Sequence, residues 1–178
     1  MGKILKSFDS NWEREGLQET PKRYLKFLHQ FLNPPEFEFK TFEKEKYDQM
    51  VTVCNIPFFS LCEHHLAPFF GVGSIGYIPN ENGRICGLSK LPRTLDMFAN
   101  KFQNQERITT QVADFLMEKL EPKGVIVALK ARHLCVEMRG VKKHNTWTST
   151  TQVRGVFADD PSAKKEFFDA ISLPVNAQ

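Results

Sequence analysis

The sequence predicts an α+β fold, with a mostly antiparallel sheet packed by two central helices. Three observations predict it. Strand-like stretches rich in Val, Ile, Phe and Tyr come in groups, at 50–59 with 68–78 and again at 125–138 with 146–157. Two stretches of helical periodicity lie together between those groups, so helices do not alternate with strands as in a parallel βαβ chain. The Thr-rich run at 146–151 suits a strand with one face in water. With 178 residues, 41% hydrophobic and 25% charged, the chain fits one domain over 1–178. A helical N-terminal segment over 1–35 precedes a core over 36–178.

Taken in order, Thr20-Pro21 signals a helix start, with a capping hydroxyl and proline at the first helical position. Tyr24, Leu25, Leu28, Phe31 and Leu32 follow at helical spacing, and Asn33-Pro34-Pro35 ends the run. Phe37, Phe39 and Phe42 alternate with polar residues as in a half-buried strand. Pro79 to Gly83 is a turn, which predicts that the sheet continues there as a hairpin. Ser89 is placed to cap a helix carrying Leu91, Leu95 and Phe98 on one face. A longer helix from Asn104 carries Ile108, Val112, Phe115, Leu116 and Leu120, closed by Glu121-Pro122-Lys123-Gly124. A short helix over 162–171 ends the fold.

The net charge of +3 and the lack of a Lys/Arg stripe give no support to nucleic-acid binding. No apolar stretch reaches the roughly 20 residues of a membrane span, and residues 1–10 lack a signal-peptide core. Those features predict a cytoplasmic protein without membrane contact, whose four cysteines are reduced.

Cys62-Glu63-His64-His65 is the densest chemistry. Cys-x-x-His sets thiolate and imidazole on one tight turn, and zinc favours both. The partner segment is His133-Leu134-Cys135, read as strand, where residues two apart share a face. Cys62, His65 and Cys135 then make a three-ligand site with an open fourth position, the pattern of a catalytic zinc. His64 and His133 stand beside it as groups able to move protons near neutral pH. The bland alternative is a chance Cys-x-x-His among inert core thiols, as Cys54 and Cys86 are assigned to be.

Gly87-Leu88-Ser89-Lys90-Leu91-Pro92-Arg93 runs into a helix start, where backbone N–H groups, Ser89, Lys90 and Arg93 suit a polyphosphate. An ordinary capped, solvated helix start reads equally well. Arg139, four residues past Cys135, can join that site. Glu106, beside Gln105, opens the longer helix; it is either a plain N-terminal charge or a carboxylate for an amidine-like edge such as that of guanine. Gly71-Val72-Gly73 marks a bulge or close packing.

These segments together resemble the GTP cyclohydrolase I family. The resemblance rests, in order, on Thr-Pro-Lys-Arg at 20–23, Cys-Glu-His-His at 62–65, Gly-Tyr-Ile-Pro at 76–79 and Gly-Leu-Ser-Lys at 87–90. It continues through Gln-Glu-Arg at 105–107, His-Leu-Cys at 133–135, Met-Arg-Gly-Val at 138–141, Thr-Ser-Thr at 148–150 and Gly-Val-Phe at 155–157. The resemblance implies a tunnelling fold whose sheets join into a barrel in a ring oligomer, a homodecamer of two pentamers with active sites at subunit boundaries. It implies conversion of GTP and water to formate and 7,8-dihydroneopterin triphosphate, begun by zinc-activated water at guanine C8. Cys62, His65 and Cys135 match the zinc ligands, and His64 and His133 the proton-transfer histidines. Glu106 matches the guanine anchor with Gln105 beside it. Ser89, Lys90, Arg93 and Arg139 match ribose and triphosphate positions, and Arg23 matches an arginine that reaches the phosphates. The product would feed folate, a pterin cofactor or 7-deazaguanine compounds.

Two departures stand out. Asn104 occupies a position that is usually apolar in the family. The N-terminus is short beside many members, which puts control by a regulatory protein partner in doubt. Rival readings are a nitrile reductase with a covalent cysteine, an enzyme that opens the guanine ring and stops, and a ring-forming protein with structural zinc. The ligand pattern of the cysteines opposes the first, and the histidines and phosphate cations oppose the last.

Overall fold

The computed structural model describes residues 1–44, 46–81 and 83–172. The chain divides into two compact units, Met1–Pro35 and Glu36–Gln178.

The first unit is helical, with α1 at Gly2–Phe8, α2 at Glu15–Gln18 and α3 at Thr20–Leu32. Thr20 does not cap α3 as its sequence suggests. Glu19 holds the N-cap position, and the Thr20 hydroxyl donates back to the Gly16 carbonyl. Tyr24, Leu28, Phe31 and Leu32 are half-buried along one face, and Phe27 stacks on Phe31. Arg23 is exposed on this helix.

The second unit carries β1 (Thr41–Glu43), β2 (Val51–Cys62), β3 (Pro68–Ile78), β4 (Arg84–Cys86), α4 (Lys90–Ala99), β5 (Phe102–Gln103) and α5 (Gln105–Leu120). It continues with β6 (Gly124–His133), α6 (Leu134–Glu137), β7 (Trp147–Gly155), α7 (Val156–Asp159) and α8 (Pro161–Ser172). The main sheet has the order β5-β2-β3-β6-β7 and is antiparallel except where β5 runs parallel to β2. The α+β class and the mostly antiparallel sheet are as the sequence predicts.

Helices α4 and α5 seal one face of the sheet. Leu91, Leu95, Ile108, Val112 and Leu116 are fully buried in a core with Ile75, Tyr77, Val125 and Val127. Burying one such side chain contributes roughly 1.5–3 kcal/mol. Ile126 points to the opposite face, as strand alternation requires, and packs with Phe157 and Phe167 beneath α7 and α8. Asn104 caps α5 by accepting from the Arg107 amide, which gives this polar residue its local role.

Five further sequence expectations need correction. The hairpin after β3 does not form: β4 pairs with β1, because both edges of β3 are already taken by β2 and β6. Asn82, within that expected turn, lies outside the described residues. The strand expected from Phe37 is confined to 41–43; Phe39 instead sets its ring edge against Phe115 at 5.2 Å, and Phe42 is exposed. The strand expected over 125–138 stops at His133, so Cys135 lies on a helical turn. Arg132 closes that turn by gripping the Glu137 carboxylate with two hydrogen bonds, which outweighs the strand preference of Leu-Cys-Val. The last strand likewise ends at Gly155, whose φ of +58° turns the chain into α7, so Phe157 is helical. Ser89 sits at the N-cap of α4 without a side-chain capping bond.

Gly71 is a close-packing glycine. A Cβ there would lie 2.0 Å from the Lys130 carbonyl oxygen of β6. The bulge lies in β2 between Val53 and Ile56, opposite Gly73 to Ile75 of β3, where Asn55 takes a φ of +54°.

Candidate metal centre

Three segments meet at one end of the sheet. The first is the hairpin tip between β2 and β3, where the Leu66 amide donates to the Cys62 carbonyl and the Cys62 amide donates to Ala67. Leu66 adopts a φ of +52° to close it. The second is the end of β6, brought alongside by the register of His133 with Phe69. The third is the start of α5, delivered by the pairing of Gln103 with Cys62. Ligands far apart in sequence thus converge without any long loop.

One ligand atom each from Cys62, His65 and Cys135 lies within 4.8 Å of the others. The Cys62 Sγ is 3.7 Å from His65 Nδ1 and also 3.7 Å from His64 Nδ1. A tetrahedral zinc with Zn–S of about 2.3 Å and Zn–N of about 2.0 Å spaces its ligand atoms roughly 3.5–3.8 Å apart. The cluster needs only a small closure to meet that spacing. Burial pushes the Cys135 thiol up, and the neighbouring Cys62 adds to the shift. Two thiols facing each other become thiolates most readily around a cation, so the donor set fits a metal ion. Cys62 is buried, Cys135 half-buried and His65 exposed, which leaves the cluster open on one side.

Around the cluster, Arg139 Nη1 lies 2.7 Å from His65 Nε2. His64 is exposed and near Glu63. His133 is held between a ring and an amide: its imidazole stacks on Phe69 with centroids 4.5 Å apart, and its Nε2 is 2.8 Å from Gln105 Oε1. Burial lowers the His133 pKa, opposed in part by the Glu106 carboxylate. Glu106 itself is exposed on the first turn of α5, whereas Gln105 is 1% exposed.

Sequence reasoning missed the bracing of this site. Glu63 takes two hydrogen bonds from the Arg107 guanidinium, at 2.7 and 3.0 Å, and ties the hairpin tip to α5. Arg107 and Glu63 both stand inside motifs of the resemblance, yet a pairing across 44 positions leaves no local signal.

Of the remaining expected residues, Ser89, Lys90 and Arg93 do not join the cluster within this chain. Ser89 and Arg93 are exposed at the start of α4, and Lys90 donates to the Glu38 carbonyl at 2.7 Å. Arg23 belongs to the first unit. All four cysteines are free; Cys86 is buried in the core as expected, but Cys54 is half-buried beside Ser74 and belongs to neither core cluster. No helix among the described residues is long and apolar enough to cross a membrane.

The chain is similar to a protein named GTP cyclohydrolase 1 from Halalkalibacterium halodurans, with 47% identity over 172 residues, covering 94% of this chain and 91% of that one. Proteins of the same name from Hydrogenobaculum sp. and Thermobifida fusca are each 47% identical, again over 94% of this chain and over 92% and 83% of theirs. A solved structure, the archaeosine synthase QueF-Like in the apo form, aligns with a TM-score of 0.48 and 14% identity, covering 62% of this chain and 97% of that one. The family described as GTP cyclohydrolase I matches residues 1–172, and the chain belongs to it.

Proposed function

We propose that this protein is a zinc-dependent GTP cyclohydrolase I that converts GTP and water to formate and 7,8-dihydroneopterin triphosphate. The observation that carries this reading is the Cys62–His65–Cys135 cluster, open on one side and flanked by His64, His133 and Arg139. Two thiols and one imidazole are a donor set suited to zinc.

When bound, the ion supplies Lewis acidity and lowers the pKa of water towards neutrality. The chain's own groups do the rest. Glu106, exposed beside His133, accepts hydrogen bonds from guanine N1 and N2 and presents C8 to the cluster. His64 and His133 carry protons to the imidazole nitrogen and the ribose oxygen as the ring opens, formate leaves and the ribose rearranges. Two waters enter in the hydrolytic steps and one returns when the pterin ring closes, so one is consumed overall. Arg139, Ser89, Lys90, Arg93 and Arg23 hold the triphosphate and ribose. We place residues 1–178 in one functional domain. The sheets complete a tunnelling-fold barrel in a homodecamer, so that residues of neighbouring copies share each site. The product enters folate, pterin-cofactor or 7-deazaguanine synthesis in the cytoplasm.

The test is to incubate the purified protein with GTP, with and without a chelator, and to measure formate and the fluorescent oxidised pterin. Both products, lost on chelation and restored by zinc, are expected. Formate without pterin identifies an enzyme that stops at ring opening. Neither product from folded, zinc-loaded protein overturns the reading.

A further inference from the structure

Gln105 and Glu106 are adjacent at the start of α5, yet their surroundings differ. Glu106 is exposed, while the Gln105 carboxamide is buried and has both ends engaged. Its Nε2 lies 3.2 Å from the Leu129 carbonyl, 3.1 Å from the Thr148 carbonyl and 3.1 Å from Thr150 Oγ1. Two of those partners are backbone carbonyls, which only accept. The amide nitrogen must therefore face them, and the amide oxygen must face away. Oε1 is left 2.8 Å from His133 Nε2. A carbonyl oxygen cannot donate, so the hydrogen in that bond sits on Nε2 of the imidazole.

The ring has little freedom to escape this pairing. It lies within 5° of parallel to Phe69, which is itself fully buried. The Thr109 hydroxyl donates to the Gln105 carbonyl at 2.7 Å and lies 2.6 Å from Thr150 Oγ1, so Gln105 is anchored on its own backbone side as well. Among the described residues no hydrogen bond engages His133 Nδ1.

We propose that Gln105 is a positioning residue that fixes His133 as the Nε2–H tautomer, so that Nδ1 is the nitrogen that exchanges protons with substrate. Gln105 acts from behind His133 and does not touch GTP. The inference rests on the reading of His133 as a proton carrier in the proposed reaction. A neutral imidazole in the other tautomer would present Nδ1–H, which donates but cannot accept.

The experiment has two parts. The first is 15N NMR of the zinc-loaded protein labelled at histidine, with His133 assigned by its loss in His133→Asn. A protonated Nε2 and an unprotonated Nδ1 are expected in the unmodified protein; the reverse overturns the proposal without any further variant. The second is Gln105→Met, which keeps length and removes the acceptor. The expected result is a kcat about 100-fold lower, with zinc content and the KM for GTP within about 2-fold. The His133 signals of that variant should show a mixture of tautomers. A raised KM with kcat retained would place Gln105 on the substrate, and normal kcat per zinc-loaded site would reduce it to a structural residue; either result overturns the proposal. If the unmodified protein does not turn over GTP, the reading of the reaction fails while the spectra still decide the tautomer.

Discussion

Cys62 and His65 stand on a hairpin tip braced by exposed charge, whereas His133 and Cys135 stand at a strand end braced from within. The tip is tied down by Glu63 and Arg107, whose side chains are 31% and 43% exposed. The strand end is tied down by Glu137, 5% exposed and gripped by Arg132, and by the buried Gln105 and Thr109 with the half-buried Thr150. An exposed ion pair is screened by salt and adds little to stability, although its fixed fork geometry still sets direction. A buried network has no water to replace a lost partner, so its geometry is held at the cost of sensitivity to mutation. The difference suggests a division of labour: the hairpin side can yield as the metal enters, and the strand side is the fixed frame it enters against.

The largest effect tests whether both sides are needed for the ion. Cys135→Ser replaces a thiolate ligand with a hydroxyl of much higher pKa, and we expect zinc and all measurable turnover to be lost. Zinc retained in full, by metal analysis of the purified variant, would remove Cys135 from the ligand set. The next effect separates holding the ion from moving protons. His64→Ala should keep zinc at the unmodified level and lower kcat by about 100-fold or more, the range expected for a lost acid–base group. Loss of zinc from this variant would make His64 a ligand, a role its 3.7 Å approach to Cys62 leaves geometrically open.

The hairpin side was legible in the sequence because its chemistry is local. Cys62 and His65 are three residues apart, so one short segment carries both and the pair can be read from the sequence. Cys135 does lie beside Cys62 and His65, but on a different backbone from the one its sequence predicts: 134–137 reads as strand, whereas the Arg132–Glu137 contact winds it into a helical turn. The cluster forms all the same because the register of β6 on β3 sets His133 opposite Phe69, next to the tip. The fold class and the central helices were legible through periodicity. The partner of β4 was not, since a turn signal cannot tell which strand edge is free. The burial of Gln105 was not legible either. It depends on the pairing of Leu129 with Thr150 across β6 and β7, and on α5 crossing that pair, contacts 24 to 45 positions apart.

Removing one brace from each side sharpens the comparison. Arg107→Ala takes away the exposed brace and leaves Glu63 to water. We expect the melting temperature of the zinc-free protein to stay within about 2 °C, as for most exposed pairs. Zinc affinity should fall by about 10-fold, the lower end for groups that orient ligands without binding metal. Competition against a chelator of known affinity measures it. An unchanged affinity together with a lower melting temperature would show that the pair serves the fold and not the turn.

Thr150→Val is the complementary change and the smallest expected for catalysis. Valine keeps the shape and strand preference of threonine but removes the hydroxyl that accepts from Gln105 and meets Thr109. Gln105 retains two carbonyl acceptors and Thr109 retains the Gln105 carbonyl, so neither is stranded. The expected cost is therefore about 1 kcal/mol, the net value of one hydrogen bond, or roughly 2–4 °C in melting temperature. Zinc affinity should not change and kcat should stay within about 3-fold, because the Gln105 oxygen still faces His133. The two variants then give opposite signatures, metal without stability and stability without metal. If Thr150→Val instead weakened zinc binding as much as Arg107→Ala, the buried network and the hairpin tip would be one coupled frame, and the division between a yielding side and a fixed side would fail.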